Sequence, residues 1–218
     1  MRRTPDYSVY LVTDRALAGP RSVEEVVALA VEGGATIVQL REKSGSSRQL
    51  LSEARRLKEL LDRVGRPLVI NDRLDIALAS GAAGVHLGQD DLSCAEARRI
   101  AGPDLWIGVS VATVEEAIAA ERDGADYLGV GPIYPTPTKA DAGPAIGLEG
   151  LRQIRAAVHL PLVAIGGIHA GNAAEVIRAG ADGVAVVSAI MAADDPRAAA
   201  AALLKAVMAA RPLPHRWA

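Results

Sequence analysis

Short runs rich in β-branched residues alternate with helix-periodic segments along the whole chain, and this alternation restricts the fold more than any other feature. The runs are Val9 to Thr13, Thr36 to Arg41, Pro67 to Asn71, Gly84 to Gly88, Trp106 to Ser110, Tyr127 to Gly131, Pro161 to Ile165 and Gly183 to Val187. Apolar residues recur at helical spacing in Val23 to Val31, Arg48 to Val64, Leu74 to Ala79, Ser93 to Ala101, Val114 to Arg122, Leu148 to Val158, Asn172 to Ala179 and Pro196 to Ala210. An echo, Gly33-Gly34-Ala35-Thr36, Gly81-Ala82-Ala83-Gly84, Gly124-Ala125-Asp126-Tyr127 and Gly180-Ala181-Asp182-Gly183, ends a helix and starts every even-numbered run. Eight parallel strands joined by right-handed crossovers close on themselves, which predicts an α/β chain folded as a single (β/α)8 TIM barrel. The rival is an open doubly wound sheet. It ranks lower because no Gly-x-Gly-x-x-Gly turn follows the first run. One domain is expected over residues 1–210, with Arg211 to Ala218 as a loose tail.

With 218 residues, half of them apolar, the chain can bury a large core. A net charge of −2, with Lys and Arg dispersed along helical segments, leaves no electrostatic footprint for nucleic acid. Cys94 is the single cysteine, so no internal disulfide can form, which fits a reducing compartment. The start Met1-Arg2-Arg3-Thr4-Pro5-Asp6 lacks a signal-peptide apolar stretch, and no run reaches membrane-spanning length. The expectation is a cytoplasmic protein acting on small molecules, without nucleic-acid or membrane partners; a homo-oligomer is compatible with the sequence but not specified by it.

In a barrel, function gathers where the strands end and the βα loops begin. Three consecutive runs end in polar knots: Gln39-Leu40-Arg41-Glu42-Lys43, Asn71-Asp72-Arg73 and Gln89-Asp90-Asp91. Period-two alternation sets Ile37, Gln39 and Arg41 on one face of the second run and Val38 and Leu40 on the other. The apolar face should meet the helices, so Gln39 and Arg41 point into the mouth with Lys43 just beyond, a costly arrangement unless an anion binds. Asp72 and Asp91, on adjacent loops, can share Mg2+, which favours one or two carboxylates together with phosphate oxygens and water. Helix capping is the plainer role for such aspartates, but Ser93 is the better-placed cap beside Asp91. His86 lies within the fourth run and can face core or ligand. Ser110, ending the fifth, can donate a hydrogen bond.

The longest connection, Gly131 to Pro144, has the position of a lid, and its Thr136, Thr138 and Lys139 suit phosphate oxygens. Gly166-Gly167 and Val187-Ser188 follow the seventh and eighth runs, where barrels commonly hold phosphate on backbone N–H groups. Together these features imply two anion sites and a metal. No Ser-His-Asp or Cys-His arrangement is evident, so the site is built to stabilise charge rather than to supply a nucleophile.

These segments, in this order, resemble the thiamine-phosphate synthase family from about Tyr10 to Ala189. The matching stretches are Gln39 to Lys43, Ile70-Asn71-Asp72-Arg73, Val85 to Gln89 with Asp91, Gly108-Val109-Ser110, Gly131 to Gly147 and Ala164 to Ile168. The resemblance implies condensation of 4-amino-2-methyl-5-(diphosphooxymethyl)pyrimidine with a thiazole phosphate, giving thiamine phosphate and diphosphate, with CO2 also lost from a carboxylated thiazole. It assigns Gln39, Arg41, Lys43, Asn71, Ser110 and Lys139 to the pyrimidine diphosphate. Of these, Arg41, Lys43, Lys139 and Ser110 would take part in the chemistry. It assigns Asp72 and Asp91 to Mg2+, and Thr136, Pro137, Thr138, Gly167, Val187 and Ser188 to the thiazole phosphate. One departure is Ala112, where many family members carry histidine. A sister group of thiazole tautomerases uses a histidine in that segment for proton transfer, which Ala112 cannot perform. A tautomerase-like isomerase and a non-catalytic thiamine-phosphate sensor are the alternatives.

Overall fold

The computed structural model describes residues 5–136 and 143–211. Its strands are β1 (Val9–Val12), β2 (Ile37–Leu40), β3 (Leu68–Asn71), β4 (Gly84–Leu87), β5 (Trp106–Val111), β6 (Tyr127–Val130), β7 (Leu162–Ile165) and β8 (Gly183–Val186). They pair in parallel in chain order, and β1 also pairs with β8, so the sheet closes. The helices are α1 (Val23–Glu32), α2 (Ser47–Asp62), α3 (Leu74–Ser80), α4 (Cys94–Ala101), α5 (Val114–Arg122), α6 (Gly147–Ala157), α7 (Ala173–Arg178), α8 (Ser188–Met191) and α9 (Pro196–Ala210). The expected (β/α)8 barrel is therefore present, and each expected element is found within a residue or two of its place. Two short pieces were not expected: a 3-10 helix, Arg15–Ala18, and the single turn α8. Four residues are too few to display a period.

Local chemistry sets the helix starts. Ser22 with Glu25, Ser46 with Gln49 and Thr113 with Glu116 form capping boxes at α1, α2 and α5, each satisfying otherwise orphaned N–H groups. At the opposite end of the barrel, the glycine-alanine echo has a second purpose. Asp126 accepts from Ile107 N at 2.8 Å and Asp182 from Leu162 N at 2.8 Å, while Thr36 Oγ1 accepts from Val9 N at 3.1 Å. At β2, β6 and β8 a side chain at the strand's start thus ties down an early amide of an odd neighbour, whereas Ala83 before β4 has only its backbone carbonyl to offer Trp106 N.

The apolar residues divide into two sets. Val38, Leu40, Val85 and Leu87 join the layer between strands and helices, whereas Tyr7, Tyr10, Val12, Ile37, Val69, Tyr127, Val163 and Ala185 fill the barrel interior. Gln39, 4% exposed, lies on the inner face, as alternation along β2 requires. Glycines make room for the larger inner rings: a Cβ on Gly108 would sit 2.1 Å from Tyr127 Cζ, and one on Gly129 would sit 2.8 Å from His86 Cε1. Arg211, expected to open the tail, is held by the Asp182 carbonyl at 2.9 Å, and the remainder of that segment lies outside the described residues. No described helix is long and apolar enough to cross a membrane.

Candidate active site

The polar knots after β2, β3 and β4 meet at the carboxyl ends of the strands. After β2, the Arg41 N–H donates to Thr13 Oγ1 at 3.0 Å, and its guanidinium stands 3.5 Å from the Asp14 carboxylate. Asp14 also caps the 3-10 helix by accepting from Ala16 N and Leu17 N. The next residue, Arg15, holds both oxygens of buried Glu53 at 2.6 Å and bonds Glu42 at 3.1 Å. The start of the β2–α2 loop is thereby fastened while Lys43 remains exposed.

Asp72, after β3, has φ 63° and is the single described non-glycine residue with positive φ. A short polar side chain tolerates this left-handed conformation better than most, and such conformations gather at functional sites. Its N–H continues the ladder by donating to the His86 carbonyl at 2.8 Å. Its carboxyl is half-buried and within hydrogen-bonding range of the Asp91 carboxyl. Burial first, then the Asp91 hydrogen bond and like charge, push Asp72 from the ordinary 3.8 up to about 6, with Lys43 and Arg41 pulling in the opposite direction. Neither aspartate caps the following helix: α3 has no side-chain cap, and Ser93 caps α4. Asp91 Oδ2 instead accepts from Gly88 N at 2.7 Å, which folds the loop so that the carboxyl faces Asp72.

Two carboxyls in contact are unfavourable unless a proton or a cation lies between them. Among the described residues no group of three or more His, Cys, Asp or Glu side chains is placed to hold a metal. The donor set is thus a carboxylate pair, which suits an ion that takes its other ligands from phosphate and water.

Asn71 closes β3 on the inner face, in register with His86. Ser110 is the penultimate residue of β5; its Oγ lies 2.9 Å from His86 Nε2, and its carbonyl accepts from Gln89 Nε2 at 2.6 Å. Gln39 Nε2 donates to the Tyr10 hydroxyl at 3.0 Å.

The remaining candidates lie across the mouth. Gly167 has φ 66°, and a Cβ there would sit 2.7 Å from Tyr134 Cβ and 2.9 Å from the Pro135 carbonyl oxygen, so glycine lets the root of the long loop lie against β7. Ile133 N and Tyr134 N extend this contact to the carbonyls of Ile165 and Gly166, and the Tyr134 hydroxyl reaches Glu175 on α7. Thr136 is half-buried beside this root. Val187 and Ser188 begin α8, the short extra helix that follows the eighth strand. Pro137, Thr138 and Lys139 lie outside the described residues.

Sequence patterning does not single out Asp14 and Tyr10, which contact the candidates Arg41 and Gln39, or Arg15 and Tyr127, which stand next to them. Period-two alternation was the available signal for the tyrosines, since it places both on the inner face; nothing in the local sequence marks Asp14 as a partner of Arg41.

Comparison with known proteins agrees with this geometry. The model of the family described as thiamine monophosphate synthase matches residues 9–190. A thiamine-phosphate synthase of Chloroflexus aurantiacus is 57% identical over 195 residues, covering 89% of this chain and 90% of that protein. Another, of Albidiferax ferrireducens, is 58% identical over 192 residues, covering 88% of each. The solved thiamine phosphate pyrophosphorylase from Pyrococcus furiosus aligns with a TM-score of 0.88 at 44% identity, covering 95% of this chain and 98% of that one. On these matches, which run through every strand of the barrel, the chain belongs to the thiamine monophosphate synthase family.

Proposed function

We propose that this chain condenses 4-amino-2-methyl-5-(diphosphooxymethyl)pyrimidine with a thiazole phosphate, giving thiamine phosphate and diphosphate; with the carboxylated thiazole, CO2 is released as well. The observation that carries the reading is the half-buried Asp72 carboxyl facing Asp91 beside Arg41 and Lys43. That arrangement suits a polyanionic leaving group, and the family relationship names the reaction. An isomerase would need a proton carrier near Ala112, whose methyl group offers none. The synthase names of the relatives also favour neither the isomerase nor the sensor.

The reaction breaks the C–O bond between the pyrimidine methylene and diphosphate, whose oxygen keeps the electron pair. The thiazole nitrogen then supplies the pair for the new C–N bond. No protein nucleophile is required. Arg41, Lys43 and Lys139 stabilise the charge gathering on diphosphate, with Asn71 donating to it. Opposite unit charges about 4 Å apart interact by about 4 kcal/mol at an effective dielectric near 20, so a few such contacts remove much of the barrier. Asp72 and Asp91 would hold Mg2+, which when bound offsets further negative charge on the phosphates. Gln39 and Ser110 orient the pyrimidine. Thr136, Pro137, Thr138, Gly167, Val187 and Ser188 hold the thiazole phosphate, keeping the ring nitrogen close to the methylene.

The test supplies both substrates with Mg2+ and follows diphosphate and thiamine phosphate together. Equal release of the two is expected, and none in excess chelator. Failure to form thiamine phosphate would overturn the function; an undiminished rate in chelator would overturn the metal assignment alone.

A further inference from the structure

Beneath the mouth, an unbroken hydrogen-bonded chain joins two of the pyrimidine residues through three side chains that have no place in the mechanism above. Gln39 Nε2 lies 3.0 Å from the Tyr10 hydroxyl, which lies 2.8 Å from the Tyr127 hydroxyl. The Tyr127 hydroxyl lies 3.0 Å from His86 Nδ1, and His86 Nε2 lies 2.9 Å from Ser110 Oγ. The end links join neighbouring strands, β2 to β1 and β4 to β5, while the links through Tyr127 cross the barrel interior from β1 to β6 and from β6 to β4. Tyr10 and Tyr127 are each 1% exposed, so bulk water cannot replace a missing link. Burial also pushes both phenols above their ordinary range, so each keeps its proton.

With the Gln39 amide turned so that its NH2 faces Tyr10, the remaining directions follow from counting protons. The Gln39 NH2 group can only donate, so the Tyr10 oxygen accepts from it. The Tyr10 O–H then needs an acceptor, and the Tyr127 oxygen is the one within reach. Tyr127 must in turn donate to His86 Nδ1, which is therefore bare, leaving the hydrogen on Nε2 for Ser110 Oγ. Reversing the tyrosine pair would leave the buried Tyr10 hydroxyl hydrogen without an acceptor among these contacts, a costly defect. Two consequences reach the mouth. With His86 donating to one Ser110 lone pair, the Ser110 hydrogen is left free to donate to a ligand, which it could not do if Nε2 were bare. With a Gln39 N–H spent on Tyr10, Oε1 is not consumed by the tyrosine and remains available as an acceptor.

We propose that Tyr10, Tyr127 and His86 are positioning residues whose relay fixes Ser110 as donor and Gln39 as acceptor, so that the site selects a 4-aminopyrimidine over its 4-oxo counterpart. The amino form offers an acceptor ring nitrogen beside a donor amine. In the proposed pose Ser110 faces the ring nitrogen and Gln39 the exocyclic group, so the oxo form, with a ring N–H beside a carbonyl, mismatches both. This inference rests on the reading that Gln39 and Ser110 contact the pyrimidine. A site built around hydrogen bonds rejects the reversed pattern strongly because buried groups are left unpaired.

Binding of the 4-amino and 4-oxo pyrimidine diphosphates, measured by calorimetry without thiazole phosphate, tests the selection apart from the chemistry. The intact protein should favour the amino form by about a hundredfold or more. Tyr127→Phe and Tyr10→Phe keep the rings that fill the interior but each removes one link. Each should reduce that preference about tenfold while leaving thiazole phosphate binding unchanged. An unaltered preference in both variants would overturn the relay while leaving the synthase reading intact. Nitrogen NMR of labelled histidines gives an answer that does not depend on ligand binding: the relay requires His86 with hydrogen on Nε2 and none on Nδ1. The opposite tautomer would overturn the relay even if neither pyrimidine bound, whereas loss of binding with the required tautomer would fault the assignment of Gln39 and Ser110 to the pyrimidine.

Discussion

Replacing Asp72 with asparagine should stabilise the protein in chelator while slowing catalysis. Asn keeps the size of the side chain and tolerates the φ of 63° at this position, so the backbone has no reason to move. The carboxyl is raised from 3.8 to about 6 in the folded protein. An acid with a raised folded-state pKa binds its proton more tightly when folded. Stability therefore falls as pH rises from about 4 to about 6, and the whole penalty is present above that range. A difference of this size corresponds to about 3 kcal/mol, which solvent screening of a half-exposed group reduces to about 1–2 kcal/mol. For a domain of this size that amounts to a gain of about 2–8 °C in Tm for the variant. Thermal unfolding of both proteins in chelator at about pH 8 and about pH 4 measures it, with the gain expected only at the higher pH. Mg2+ should raise the Tm of the parent protein and not of the variant. Turnover in Asp72→Asn should fall by roughly 10². Equal stability at the higher pH, or a gain undiminished at the lower, would refute the reasoning that burial and the Asp91 carboxyl penalise ionised Asp72.

Lys139→Ala should lower kcat by roughly 10², comparable to removing one preorganised charge-stabilising group, with circular dichroism unchanged; near-normal turnover would remove Lys139 from the leaving-group site. Gly108→Ala drives a methyl group to within 2.1 Å of the Tyr127 ring and should cost about 1–3 kcal/mol, read as a lower midpoint in urea. Cys94 is 7% exposed and burial raises its thiol to about 11, so a thiol reagent should modify it far more slowly in the native protein than in urea at the same pH.

Much of this protein is written locally. Alternation along Ile37 to Arg41 separates the barrel interior from the helix-facing layer, and Ser22, Ser46, Ser93 and Thr113 announce helix starts through residues within one turn of themselves. Because the βα order recurs eight times and parallel strands require crossovers, the closed barrel and the location of its polar knots follow from the sequence. Other features depend on atoms brought together from distant parts of the chain. Periodicity places Tyr10 and Tyr127 on an inner face, but their hydroxyls are 117 positions apart in sequence and meet only because the barrel closes. The contact between Asp72 and Asp91 likewise depends on a left-handed backbone at one loop and a bond from Gly88 at the other. Residue type and spacing determine which face a side chain occupies. Curvature and closure of the sheet decide which side chain it meets there, and hence the proton directions and charge repulsions that give the site its chemistry.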